Sequence, residues 1–151
     1  MDERDPVALD PGGRCNGGVA KSMVDTDLGM MFARALASKD WSTLRSLLHD
    51  DLDFRGMTPR QVWEASADEL ITDVLRAHWF EDDEVIEELV ECEVRPVGDC
   101  INLRYLLRML YKEGPHLIEQ QAYYRAEDGR IKWLRVMCSG SMPIEATPAE
   151  G

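Results

Sequence analysis

The chain has 151 residues, is 44% hydrophobic and carries a formal net charge of -12 at pH 7. That length suits one domain able to bury a core without staples. The charge argues against nucleic acid and anionic membrane surfaces as partners, since both select clustered Lys and Arg. No apolar run approaches the roughly 18 residues of a spanning helix, and the opening MDERDPVALDPGG lacks the apolar heart of an export signal, so a cytoplasmic protein is expected.

Residues 1–24 hold Pro6, Pro11, Gly12, Gly13, Gly17 and Gly18 with little periodicity, and are read as a disordered tail. Residues 144–151 read as a flexible C-terminal tail, which leaves 25–143 as the domain. Order begins at Asp25-Thr26-Asp27, an N-cap cluster with acidic charge where a helix dipole favours it. Leu28, Phe32, Ala35 and Leu36 then recur at helical spacing, and a second short helix after Lys39-Asp40 presents Trp41, Leu44, Leu47 and Leu48. DDLDFRG alternates as a short strand ending at Gly56. Thr58-Pro59-Arg60-Gln61 has the form of a capping box with Pro at the first helical position, so a helix from there to about Trp79 is expected, broken near Ser66.

From Glu84 the texture changes to strands separated by turn signals at 96–99, Glu113-Gly114-Pro115 and Asp128-Gly129. Segregated helices and an antiparallel meander define an α+β domain. With a simple ladder across each turn, Ile86, Val90, Cys92, Val94, Leu103, Tyr105, Leu107, Met109, Tyr123, Leu134 and Val136 share the face that curls around the helices. Glu88, Glu119 and Gln121 fall among them. The other face pairs Glu91 with Arg104 and Glu87 with Arg108. It also collects Leu89, Leu106, Leu110, Ile118, Tyr124, Trp133 and Met137, too apolar a set to be left to water.

Two stretches carry a family resemblance. MMFARALASKDWSTLRSLLHDDLDFRG and IEQQAYYRAEDGRIKWLRVMCSG resemble the opening and the closing hairpin of the nuclear transport factor 2-like superfamily, which includes SnoaL-like and ketosteroid-isomerase-like domains. The resemblance covers about residues 26–143. It implies a cone-shaped, cystatin-like α+β fold, with N-terminal helices packed in the concave face of a curved antiparallel sheet around a mostly apolar cavity. It also implies a homodimer formed through the outer sheet face, here Leu89, Leu106, Tyr124, Trp133 and Met137. Members include isomerases, dehydratases, epoxide hydrolases and polyketide cyclases as well as non-catalytic modules, so the fold selects no activity. The base of the ketosteroid isomerases falls at Gly56 and their polarising acid near Gln121, which makes that mechanism unavailable to this chain.

Glu119 is the catalytic candidate, because a carboxyl facing an apolar cavity has its pKa raised into the range of a general acid or base. Glu88 is the lesser one. Either is also read as a surface glutamate if its strand is shifted by one residue. Tyr105, Gln121 and Tyr123 could orient an oxygen of a bound ligand, with Glu88, Met109, Leu134, Val136 and Cys138 lining the pocket. Asp53 reads as solvent-facing, and His78 before Trp79 sits at a helix end near the cavity entrance. Cys15, Cys92, Cys100 and Cys138 form no CxxC pair and His49, His78 and His116 stand apart, so no metal and no cofactor are expected. Two functions stay open: an isomerase- or lyase-type acid–base enzyme on a small apolar oxygenated metabolite, and a non-catalytic ligand-binding or protein-interaction dimer of the same fold.

Overall fold

A computed structural model describes residues 23–144. Apart from Met23, Val24 and Ile144, the two expected tails lie outside the described residues. Met23 and Val24 already belong to helix α1 (Met23–Ala37), and Ile144 donates its N–H to the Pro115 carbonyl at 3.0 Å. After α2 (Trp41–Ser46), capped by Asp40 at the Thr43 N–H, come strands β1 (Leu48–Thr58) and β2 (Gln61–Ala65). A single helical turn, α3 (Ala67–Glu69), runs into a π-helix (Leu70–Trp79). The strands β3 (Val85–Val97), β4 (Cys100–Tyr111), β5 (Gly114–Glu127), β6 (Arg130–Cys138) and β7 (Met142–Pro143) follow.

The strands form one sheet in the order β2-β1-β6-β5-β4-β3, with β7 on β5. Helices and curved sheet make the α+β cone that was expected. The sheet is mixed, because β1 runs parallel to β6 while the other pairs are antiparallel. The core lies between the helices and the inner face, where Phe32, Leu36, Leu44, Leu70 and Leu75 meet Ile101, Leu103, Leu107, Met109 and Leu134. Apolar helical spacing on one side and strand alternation on the other bury matching faces.

The helix expected from Thr58 does not start there. Thr58 and Gln61 pair across a two-residue turn in which Arg60 takes φ 80, and β2 doubles back along β1. The Trp63 indole N–H donates to Thr58 Oγ1 at 2.9 Å, so the hydroxyl expected to cap a helix holds a hairpin. The capping box belongs to Ser66 and Glu69: the Glu69 N–H donates to Ser66 Oγ, and Glu69 Oε1 accepts from the Ser66 N–H at 2.9 Å.

The β5–β6 hairpin corrects the expected faces. Asp128 and Gly129 take φ 57 and 74, the two left-handed residues of the tight turn, and Glu127 opposes Arg130 as expected. A bulge then leaves Lys132 unpaired, since Ala126 opposes Ile131 but Arg125 opposes Trp133. The extra residue puts Tyr124, not Tyr123, opposite Leu134. A two-residue turn after Tyr111 sets Gln120, not Gln121 or Glu119, opposite Tyr105. The inward residues of β5 are therefore Ile118, Gln120, Ala122 and Tyr124, all buried. On β3, two more bulges bring Leu89 inward and leave Val90 exposed, the reverse of the expected order. Near-matching pairs survive: Glu91 meets Arg104 at 2.9 Å, and Glu87 meets Arg108 at 2.8 Å.

Tyr124 ties the sheet to α1. Its hydroxyl accepts from the Gly29 N–H at 2.8 Å and donates to the Asp25 carbonyl at 2.6 Å, entering the first turns of the helix. A Cβ at Gly29 would lie 3.0 Å from that hydroxyl, so glycine makes the insertion possible. This leaves Tyr124 fully buried in the core and not on the outer sheet face.

Candidate active site

A cleft of about 370 Å³ opens at the end of the sheet where β1, β4 and β6 finish and β5 begins. Its walls are the Trp63 ring on β2, Trp79 and Phe80 at the end of the π-helix, Ile118 and Gln120 on β5, Tyr111, and the Cys138–Ser141 segment. Among the described residues Glu84 is the one carboxyl on that wall, and His78 also lines it.

Trp79 is seated by two local features. A π-type bond from the Phe80 N–H to the Leu75 carbonyl, 2.7 Å, widens the last turn and turns the chain onto β1. There the indole passes over Gly56, where a Cβ would lie 2.9 Å from Trp79 Cη2 and 2.8 Å from Phe54 Cζ. The place where a base was sought and missed is thus filled by aromatic rings. Phe54 and Trp63 flank Trp79 edge-on, with centroids at 6.0 and 6.2 Å.

Polar groups in the cleft are held from behind. The Tyr105 hydroxyl, fully buried, donates to Gln120 Oε1, which orients the amide and leaves its Nε2 as a donor. Burial pushes the Tyr105 phenol well above its usual range, so it stays a neutral donor. Gln120 is 1% exposed, and its Nε2 and the Trp79 Nε1 are buried donors with no hydrogen-bond partner among the described residues. An unmade hydrogen bond of this kind costs about 1–3 kcal/mol, so two such donors beside a cleft favour an acceptor brought from outside.

Glu84 is held by its loop. Its Oε1 accepts from the Glu81 N–H at 3.1 Å, and the Lys39 ammonium donates to the carbonyls of Glu81 and Glu84. Burial raises the Glu84 carboxyl above its ordinary pKa, and burial followed by the nearby Glu84 charge raises the Tyr111 phenol. A carboxyl displaced this way suits proton transfer nearer neutrality.

Of the residues expected here, Tyr105 and Cys138 take part, one as support and one as lining. Met109, Leu134 and Val136 are buried in the core beneath the helices. Glu119, Gln121 and Tyr123 are on the outer face. Glu119 accepts from Arg104 Nε at 2.6 Å with its side chain 39% exposed, Gln121 Oε1 accepts from Asn102, and Tyr123 is 42% exposed. Glu88 is exposed on β3 opposite Arg108. A one-residue change of parity accounts for all four, and it removes Glu119 and Glu88 from the cleft. Gln120, Glu84, Tyr111 and the lining role of Trp79 were missed, whereas His78, expected near the entrance, lines the cleft.

The outer face holds a second hollow of about 430 Å³, with Met57, Val62, Tyr123 and Met137 exposed around Arg55 and Arg135. Beside it Trp133 is sandwiched between Arg125 and Arg135, at 4.3 and 4.6 Å from the ring centroid. Leu106, Trp133 and Met137 face outward as expected; Leu89 and Tyr124 face the core.

Ligand atoms of His49, Glu127 and Asp128 come within 4.8 Å of one another far from this cleft in the chain's layout, at the β5–β6 turn. His49 Nδ1 accepts from the Asp51 N–H at 3.0 Å, which puts the ring proton on Nε2, 3.7 Å from Asp128. Lys132 is paired with Glu127 at 3.1 Å. No helix among the described residues is long and apolar enough to cross a membrane.

No family model matches the chain, and no curated protein matches its sequence. Solved structures do. An LEH-like epoxide hydrolase of M. tuberculosis superposes with a TM-score of 0.59 at 15% identity, over 78% of this chain and 84% of that one. A proposed polyketide cyclase from Xanthomonas campestris gives 0.59 at 16% identity, over 74% and 87%. An NTF2-like protein from Burkholderia thailandensis gives 0.57 at 16% identity, over 76% and 89%.

Proposed function

The chain folds as an NTF2-like α+β cone, and we propose that it binds a small, neutral, apolar molecule carrying a carbonyl-type oxygen in the cleft at the end of the sheet. The observation that carries this reading is the pair of buried donors, Gln120 Nε2 and Trp79 Nε1, left without an acceptor on an aromatic wall. The ligand oxygen accepts from them, and its apolar body packs on Trp63, Phe80 and Ile118. A neutral ligand is favoured over a carboxylate by the nearby Glu84 and by the net charge of -12.

Where the ligand is turned over, Glu84 is the proton-transfer group, in place of Glu119. The epoxide hydrolase and cyclase descriptions of the similar structures are compatible with such chemistry and do not choose it, since likeness at this identity concerns the fold. In the same proposal the chain is a homodimer, a second copy covering Met57, Val62, Tyr123 and Met137 on the outer face.

Native mass spectrometry on protein purified gently from the cells that make it tests the binding. A retained neutral small molecule, lost in Gln120→Leu, supports the reading. Retention unchanged in Gln120→Leu and in Trp79→Phe contradicts it.

A further inference from the structure

We propose that the Cys138 thiol captures small, neutral α,β-unsaturated carbonyl compounds that enter the cleft, an inference that rests on the cleft's being a ligand site. Cys138 is directly opposite Gln120 on the β5–β6 ladder, so both side chains stand on the inner face, and both line the cleft. Cys138 is a free cysteine of intermediate burial, and its Sγ accepts the Gly140 N–H at 3.4 Å.

What makes this more than a lone cysteine is that Gln120 and Trp79, which line the same cleft, each carry an unpartnered buried donor. Gln120 is 1% exposed, its amide is fixed by the Tyr105 hydroxyl, and its Nε2 has no acceptor; the Trp79 indole N–H in the same cleft is likewise unpaired. Donors so placed stabilise negative charge as it develops on a carbonyl oxygen.

The step balances without an oxidant. The thiol gives its proton to water at the open mouth, and the thiolate forms an S–C bond at the β-carbon. The C=C pair moves to give an enolate whose oxygen is held by the two donors, and the α-carbon takes a proton from water. The net result is addition of S–H across the double bond. Cys92 and Cys100 lack this setting: neither lines the cleft, and burial raises both thiols above their ordinary pKa.

The test uses N-ethylmaleimide on the full chain, with modification of each cysteine followed by peptide mass mapping. Cys15, outside the described residues, is resolved from the others by its own peptide. Cys138 is expected to react at least roughly tenfold faster than Cys92 and Cys100, and Trp79→Phe, which keeps a ring but removes the donor, to slow Cys138 roughly tenfold while leaving the other two unchanged. Equal rates for the three thiols, or a Cys138 rate indifferent to Trp79→Phe, overturns the inference. N-ethylsuccinimide, the saturated analogue, separates this from the binding reading. If it quenches tryptophan fluorescence saturably while Cys138 stays unlabelled by the maleimide, capture is wrong and the cleft stands. If it neither binds nor protects and Cys138 stays unlabelled, both fall.

Discussion

Glu84 gathers two opposing influences in one carboxyl. Its backbone partner, the Glu81 N–H, favours the charged form, while burial at the cleft wall opposes it more strongly, so the folded chain holds this proton above the usual 4.5. By linkage, the group's stabilising effect is complete below about pH 4.5 and is lost as pH rises through the raised value. Glu84→Gln keeps the Oε1 acceptor and removes the charge. The variant is expected to melt at the wild-type temperature at pH 4 and above it at pH 7. Identical melting temperatures across that range would show that the carboxyl is not held back from ionising. The change to strand texture at Glu84 was legible in the sequence; the reach of Glu84 back into the cleft, beside Lys39 holding two loop carbonyls, was not.

At the scale of elements, the instructive unit is the closing hairpin. Its turn was readable from Asp128-Gly129, and its far strand was not readable by simple counting because one extra residue, Lys132, changes the parity. The trace of the bulge is present in the sequence all the same. Ile131 and Leu134 are both buried and three apart, which an unbroken strand with a single buried face does not allow. The same spacing of three recurs on β3 in Ile86, Leu89 and Cys92, each partly buried against the core, and marks its two bulges. Conversely, Ser66-Ala67-Asp68-Glu69 was a second capping box, and the first, at Thr58, gave way because Val62 and Trp63 suit a strand and Arg60 accepts a left-handed turn. Removing Lys132 leaves every later side chain on its present face, so the variant should unfold cooperatively in urea within about 2 kcal/mol of wild type. Removing Arg135 turns Val136 and Cys138 outward, and should cost more than about 4 kcal/mol or the fold itself. Equal tolerance of both deletions would contradict the register.

For the molecule as a whole, the cone divides its labour between two faces of one sheet. Inward, strands and helices bury a core that ends in the cleft; outward, Met57, Val62, Tyr123 and Met137 surround a hollow flanked by paired charges such as Arg55–Glu64 and Arg135–Asp53. Both signs in alternation suit a face that meets its own copy. Light scattering should therefore report a dimer for the wild type and a monomer for Met57→Glu combined with Met137→Glu, with the helical signal unchanged. A wild-type monomer at high micromolar concentration would remove the outer face from the account. The overall fold was legible because it depends on element order and hydrophobic parity averaged over many residues, whereas site residues depend on parity at single positions, where one bulge reverses the answer.

The most direct measurement is nuclear magnetic resonance of the side-chain N–H groups during titration with a neutral bicyclic ketone, 2-decalone. The Trp79 indole and Gln120 amide signals should move together and saturate as a carbonyl oxygen takes up their free donors. The Trp133 indole, on the outer face between two arginines, should stay in place. Movement of Trp133 with Trp79 and Gln120 silent would place ligand binding on the other side of the sheet and contradict the proposed site.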